Sequence, residues 1–250
     1  MKNVLMLVEY DGEGFHGWQR QPGQRTIQGT LEGALNQLLR KERVEVAGAG
    51  RTDAGVHASG QAVSFKADFK IPVSRIAHAL NGLLPDDLAV LSAKEMPLAF
   101  HATRSAKSRV YVYSLRHATL PTPLFRRYTW QVKHKLHVAP MRQAASDLVG
   151  THDFAAFQDV GSDLKGTIRT VLRSEVHAAT PNEIQYEVEA DRFLYNMVRI
   201  VMGTLVEIGS GKRRPDAVKK ALQTKRRTDT GPTAIPRGLT LAQVKFGDVS

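Results

Sequence analysis

The chain of 250 residues contains no cysteine. That absence excludes disulfides, a thiolate nucleophile and cysteine-ligated zinc, and it suits a reducing compartment. No apolar run approaches the ~20 residues that a bilayer requires. Lys2-Asn3 followed by a strand-like run containing Glu9 does not have the form of a signal peptide. A cytoplasmic protein with no membrane partner is expected. Acid is the scarce charge: 24 Asp and Glu face 35 Lys and Arg, a net charge of +11 at pH 7. The shortage is also local. Between Met96 and Ser146 nine Lys or Arg stand without a single acid, and residues 212–227 carry eight bases against Asp216 alone. A phosphate backbone is the commonest partner for such strips, so nucleic acid is expected, with plain solvated faces as the alternative.

What is present suits a globular fold, since 42% hydrophobic residues over this length can form a real core. Residues 4–10 read as a strand that ends in the turn Asp11-Gly12-Glu13-Gly14, and Phe15-His16-Gly17-Trp18-Gln19-Arg20 then places aromatics beside a base in a loop. Thr26 can cap a helix in which Ile27, Leu31, Leu35, Leu38 and Leu39 recur at helical spacing. Strands follow at 44–47 and 61–65. A second helix spans 74–84 on Ile76, Leu80, Leu83 and Leu84, Pro85-Asp86-Asp87 breaks it, and residues 88–93 form a strand. The order is βαββαβ, the split βαβ unit.

A related succession follows Pro97: strands at 110–115, 170–176, 184–189 and 241–246, helices at 141–149 and 195–208, and an inserted helix at 215–222. The fold class is therefore α+β. Two related βαββαβ-like domains, 1–100 and 101–250, carry mainly antiparallel sheets with helices on one face and a basic cleft between.

Candidate chemistry concentrates in Gly50-Arg51-Thr52-Asp53-Ala54-Gly55-Val56-His57-Ala58, which packs an acid, a base, a hydroxyl and an imidazole between two strands. Asp53-Ala54-Gly55 also has the composition of an ordinary turn. Gly48-Ala49-Gly50 imitates a dinucleotide fingerprint, but Asp53 occupies the third glycine position and no helix follows. Residues 109–113 alternate, so Arg109, Tyr111 and Tyr113 share a face suited to stacking on bases, or to packing on a helix. The helix at 195–208 is apolar nearly all round yet contains Arg199. An anion, several carbonyls, solvent or a structural acid such as Asp191 would have to satisfy its guanidinium. His134 and His137 lack acidic or sulfur partners, so no metal site is assigned. Thr151-His152-Asp153 is no hydrolase signature, and Phe154 and Phe157 belong to a core.

Taken together, Tyr10-Asp11-Gly12 with Phe15, Gly17, Trp18 and Gln19, the segment 50–58 with Gln61, Tyr111, Met197-Val198-Arg199 with Gly203, and Pro236, Gly238, Leu239 and Leu241 closely resemble the tRNA pseudouridine synthase A family. The resemblance runs from Val4 to Val244 and assigns no site at 120–137 or 212–230. It implies a homodimer of two-domain chains, acting without cofactor or metal. The implied reaction isomerises uridines 38, 39 and 40 of the tRNA anticodon stem-loop to pseudouridine. It makes Asp53 the catalytic carboxylate, stacks Tyr111 on the target uracil, pairs Arg199 with Asp53, and lines the pocket with Arg51 and Leu239.

The chemistry suits these residue types. The N1–C1′ bond must break, the uracil turn and a C5–C1′ bond form while water is kept out, so one carboxylate suffices where glycoside hydrolysis uses two. Asp53 can attack C1′, attack C6 or remove the 2′-hydrogen, in each case as the ionised form that a neighbouring arginine favours. The base must first leave its stack. A non-catalytic RNA-binding module shares the charge and the tyrosine-bearing strand, and a nucleotide-cofactor enzyme rests on Gly48 and Gly50 alone.

Overall fold

A computed structural model describes residues 1–159 and 166–247. Chain order begins β1 (Lys2–Tyr10), α1 (Ile27–Leu39), β2 (Val46–Gly48), β3 (His57–Ala67), α2 (Ile76–Asn81) and β4 (Leu88–Met96), the βαββαβ succession expected. It continues through α3 (Ala102–Ser105), β5 (Ala106–His117), β6 (Trp130–Val132), α4 (Val138–Ser146), β7 (Gly150–Asp153), β8 (Ile168–Thr180), β9 (Glu183–Ala190), α5 (Met197–Gly209), α6 (Ala217–Thr224) and β10 (Leu239–Phe246). Among the described residues no helix is long and apolar enough to cross a membrane. The chain folds into two compact units, Met1–Arg109 with Thr240–Ser250 and Val110–Leu239, and so returns to its first unit in its last strand.

In the first unit β1 lies antiparallel between β3 (Val4↔Phe65) and β4 (Val4↔Glu95), β2 adds antiparallel to β3, and β10 joins β3 in parallel through Thr240↔His57 and Leu241↔Ala58. Alternation decides the faces of β1: Val4, Met6, Val8 and Tyr10 are buried while Leu7 is exposed. Thr26 caps α1 by accepting from Gly29 N (3.3 Å), and α1 packs on β2 and α2. On the other face Leu5 packs with Ala49, Ala62, Met96 and Phe100. The second helix is shorter than its leucines suggested. Asn81 clamps the Val90 backbone through both amide atoms (3.0 and 2.8 Å), so the chain leaves the helix there and Leu83 is exposed.

In the second unit the strands run β5-β9-β8-β7, with β6 parallel to β5. Helix α4 packs on β8 and α5, and α6 packs on α4 and α5. Phe154 and Phe157 are fully buried and pack ring to ring, as core residues should. Of the two readings of the β5 face, packing holds at Tyr113 and Arg109. Tyr113 is wholly buried, its hydroxyl donates to Ile235 O (2.7 Å), and its ring meets Trp130 edge-on. Arg109 is also buried, donating through Nε and Nη2 to Ala49 O (3.0 and 2.8 Å). Val112 is only half-buried. The reason is that a tyrosine ring gains more from burial than a valine once one carbonyl satisfies its hydroxyl.

Candidate active site

The acid-bearing loop occupies residues 49–56, because β2 ends at Gly48 and β3 begins at His57, taking the imidazole into the sheet. Val56 N donates to Asp53 O (3.1 Å) and Gly55 takes φ +76°, so Asp53-Ala54-Gly55-Val56 is a turn whose third position needs a residue tolerant of positive φ. The ordinary reading of this stretch is therefore true of its backbone. It does not exhaust the loop.

Gln61, pointing back from β3, donates to Gly50 O (2.7 Å) and accepts from Gly50 N (3.3 Å). Tyr10 OH sits 2.8 Å from Thr52 Oγ1, and Gln61 donates to it at 3.4 Å. Burial pushes the Tyr10 hydroxyl up to about 12, only partly offset by the bonds to Thr52 and Gln61, so it stays protonated at neutral pH. From the far side, the segment after β1 covers the loop with its backbone. Trp18 N donates to Thr52 O (3.0 Å) and Gly55 N to Phe15 O (3.4 Å), while Gly12 N donates to His57 Nδ1 (3.0 Å). A Cβ at Gly12 would lie 2.1 Å from Val56 O, and one at Gly48 2.4 Å from the Trp18 ring, so the glycines permit the approach. Within this frame Thr52 and Val56 are buried, Asp53 is half-buried and Arg51 is exposed.

The second unit presents the other expected site residues. Tyr111 is buried and meets Phe193 edge-to-face, centroids 5.1 Å apart at 87°. Helix α5 is buried nearly all round, as its composition demands, and Arg199 is half-buried in its first turn. Its Nε donates to Ala234 O (2.7 Å) and its Nη1 to Asn196 Oδ1 (2.6 Å), so oxygens of the protein serve the guanidinium. Asp191, the acid suggested by sequence, accepts from the backbone N–H groups of Thr170 and Arg192 (3.0 and 2.8 Å). Burial drives the nearby Tyr113 hydroxyl well above the usual tyrosine range, although the charges of Arg199 and Arg237 pull the other way. Leu239 is buried at the start of β10.

Sequence reasoning missed the supports. Tyr10, Thr52 and Gln61 brace the loop, and only their place in the resembling motifs signalled them. The second basic strip also differs from expectation. Arg213, Arg214, Lys220 and Arg226 pair with Glu207, Asp216 or Asp229, acids close by in sequence, whereas Lys225 and Arg227 reach the distant Asp153 and Asp159. For Lys225 and Arg227 the neutralising partner arrives only on folding.

A split βαβ unit that pins an acid-bearing loop, in a strongly basic chain, defines an α+β protein whose charge suits a polyanion. Comparison with known proteins narrows this. The sequence pattern of the tRNA pseudouridine synthase family matches residues 6–103 and 144–247. The tRNA pseudouridine synthase A of Thermoanaerobacter sp. (strain X514) is 44% identical over 246 residues, covering 98% of this chain and 100% of that protein. Its counterpart in Acetivibrio thermocellus is 42% identical over 247 residues with the same coverage. Among solved structures, a Cbf5-Nop10-Gar1 complex matches 81% of this chain and 53% of its own at 12% identity and a TM-score of 0.34, a likeness too loose to carry an argument. The chain belongs to the tRNA pseudouridine synthase family and is an isomerase.

Proposed function

We propose that this chain isomerises uridine to pseudouridine at positions 38, 39 and 40 of the tRNA anticodon stem-loop, with Asp53 as the catalytic carboxylate acting on a flipped base. Its two parts, 1–100 and 101–250, divide the work: the first carries the Asp53 loop, the second contributes Tyr111 and Arg199. The protein works as a cytoplasmic homodimer, without cofactor or metal. The observation that carries the reading is family membership over nearly the whole chain, together with a loop whose backbone is braced on both sides while Asp53 stays half-buried.

Each residue then has a role. Asp53 attacks C1′, attacks C6 or removes the 2′-hydrogen. In every case N1–C1′ breaks, C5–C1′ forms, and the proton lost from C5 is matched by the one gained at N1. Arg199 favours the ionised carboxylate by lowering its pKa and fixes its orientation. Tyr111 stacks on the uracil, and its edge-to-face contact with Phe193 sets the plane of the ring. Arg51 and Leu239 line the pocket.

The test is Asp53→Asn, assayed on unmodified tRNA by carbodiimide labelling. The variant should fold and bind tRNA as the parent does and form no pseudouridine. Turnover within about tenfold of the parent, a difference of ~1.4 kcal/mol, would remove Asp53 from catalysis.

A further inference from the structure

Arg199 has a long side chain whose rotamer freedom must be removed before its plane can serve as a fixed fork. Two contacts define that plane, Nε on Ala234 O (2.7 Å) and Nη1 on Asn196 Oδ1 (2.6 Å). Both lead back to one set of residues. Asn196 donates through Nδ2 to Asp159 Oδ2 (2.8 Å), and Thr233 Oγ1 donates to the same oxygen (3.1 Å). Arg227 Nε donates to the other carboxylate oxygen (3.2 Å), while its terminal nitrogens hold Thr230 Oγ1 and Gly231 O (2.8 Å each) and Thr233 Oγ1 (3.0 Å). Ala234 closes the circuit, because its N–H donates to Arg199 O (3.0 Å).

The Asn196 amide has one orientation that satisfies both neighbours. A carboxylate can only accept and a guanidinium can only donate, so NH2 must face Asp159 and oxygen must face Arg199. The backbone agrees, since Asn196 takes φ +59° immediately before α5, a left-handed conformation that asparagine tolerates better than most side chains. The carboxylate is also held ionised. Partial burial raises the Asp159 pKa, but hydrogen bonds from Asn196, Arg227 and Thr233 outweigh this and leave it below the usual range.

We infer that Asp159 and Asn196 are positioning residues of the isomerase, a relay through which Arg227 and Thr233 set the plane of the Arg199 guanidinium. The relay rests on the proposed role of Arg199. It gives a task to three residues that sequence left aside, Asp159, Asn196 and Arg227, the last of which the charge pattern had offered to phosphate.

The experiment uses the full chain and unmodified tRNA under single-turnover conditions, with enzyme in excess, measuring the maximal rate and the half-saturating concentration. Asn196→Gly keeps the left-handed backbone and deletes the amide. It should lower the rate at least tenfold, leave half-saturation within about threefold and melt near the parent. Asp159→Ala should do the same, and Asp159→Asn should recover part of the rate because its amide oxygen can still accept from Asn196. Combined with Arg199→Met, Asn196→Gly should add little further loss. A parental rate in Asn196→Gly, with loss only in Asn196→Ala, would reduce the residue to a backbone role and overturn the relay, provided Arg199→Met itself is slow. A parental rate in Arg199→Met would instead overturn the reading of Arg199 on which the relay stands.

Discussion

The two units hold their candidate residues by different physics. Around Asp53 the described supports are largely neutral: the Tyr10 and Thr52 hydroxyls, the Gln61 amide, backbone N–H groups and glycines that let chain approach chain, with the Arg109 guanidinium on Ala49 O and the Asp11 carboxylate beside His57 as charged members. Around Arg199 the supports are ionic, with Asp159 and Arg227 at their centre. A carboxylate that must act gains from neighbours that do not compete with it for charge. A guanidinium that must be aimed gains from a fixed opposite charge one residue removed.

Close backbone approach is common to both regions, and removing it should have the largest effect. A Cβ at Gly203 would lie 1.7 Å from Pro232 O, and one at Gly12 2.1 Å from Val56 O. Each glycine-to-alanine variant should cost ~3 kcal/mol or more, the upper range for overpacking, as read by chemical denaturation. Gly203→Ala pushes the segment that carries Ala234 away from α5 and should mimic loss of Arg199, whereas Gly12→Ala should mimic loss of Asp53. A benign Gly203→Ala would show that this segment yields without consequence.

Arg227→Met comes next. It strips several charge-assisted hydrogen bonds from a half-exposed network and should cost about 2 kcal/mol. Hydrogen exchange should record the loss in α5 and residues 227–234 and leave β1 and β3 protected as before. Uniform loss of protection in both units would show that the ionic network supports the whole chain and not one region of it.

In the neutral region, Tyr10→Phe removes one hydroxyl shared by Thr52 and Gln61 and should cost ~1 kcal/mol, with added salt changing the difference little. A strongly salt-dependent penalty would show that charge matters around Asp53 as well.

The smallest expected effect is in acid. Asp153, Asp159 and Asp229 lie in the second unit with lowered pKa values. The main causes are the Thr167 hydrogen bond for Asp153, bonds that outweigh burial for Asp159, and the Thr224 bond for Asp229, which is brought to about 2. Groups depressed in the folded state contribute stability above their unfolded pKa, near 4, and lose it as pH falls through the folded value. Between pH 4 and about 2 the second unit should therefore loosen first, and near-ultraviolet dichroism of Trp130 against Trp18 can follow it. Simultaneous loss at both tryptophans would show that acid acts on the two units alike.

The sequence by itself determined the order of elements from β1 to β4, the capped helix α1, the buried character of α5 and the loop that carries Asp53, but not α3, β6 or β7. Each of these depends on neighbours in the chain: side-chain period, a threonine before an apolar stripe, a glycine where φ is positive. The family was legible for a similar reason, since its motifs are short runs whose spacing survives in one dimension. Tertiary structure decided where polar groups find their partners. Asn81 ended α2 by bonding to Val90, Tyr113 turned inward because Ile235 offers a carbonyl, and Arg227 met Asp159 across 68 residues. Hydrogen bonds and ion pairs of that kind join residues far apart in the chain, and no periodicity or local composition encodes the pairing.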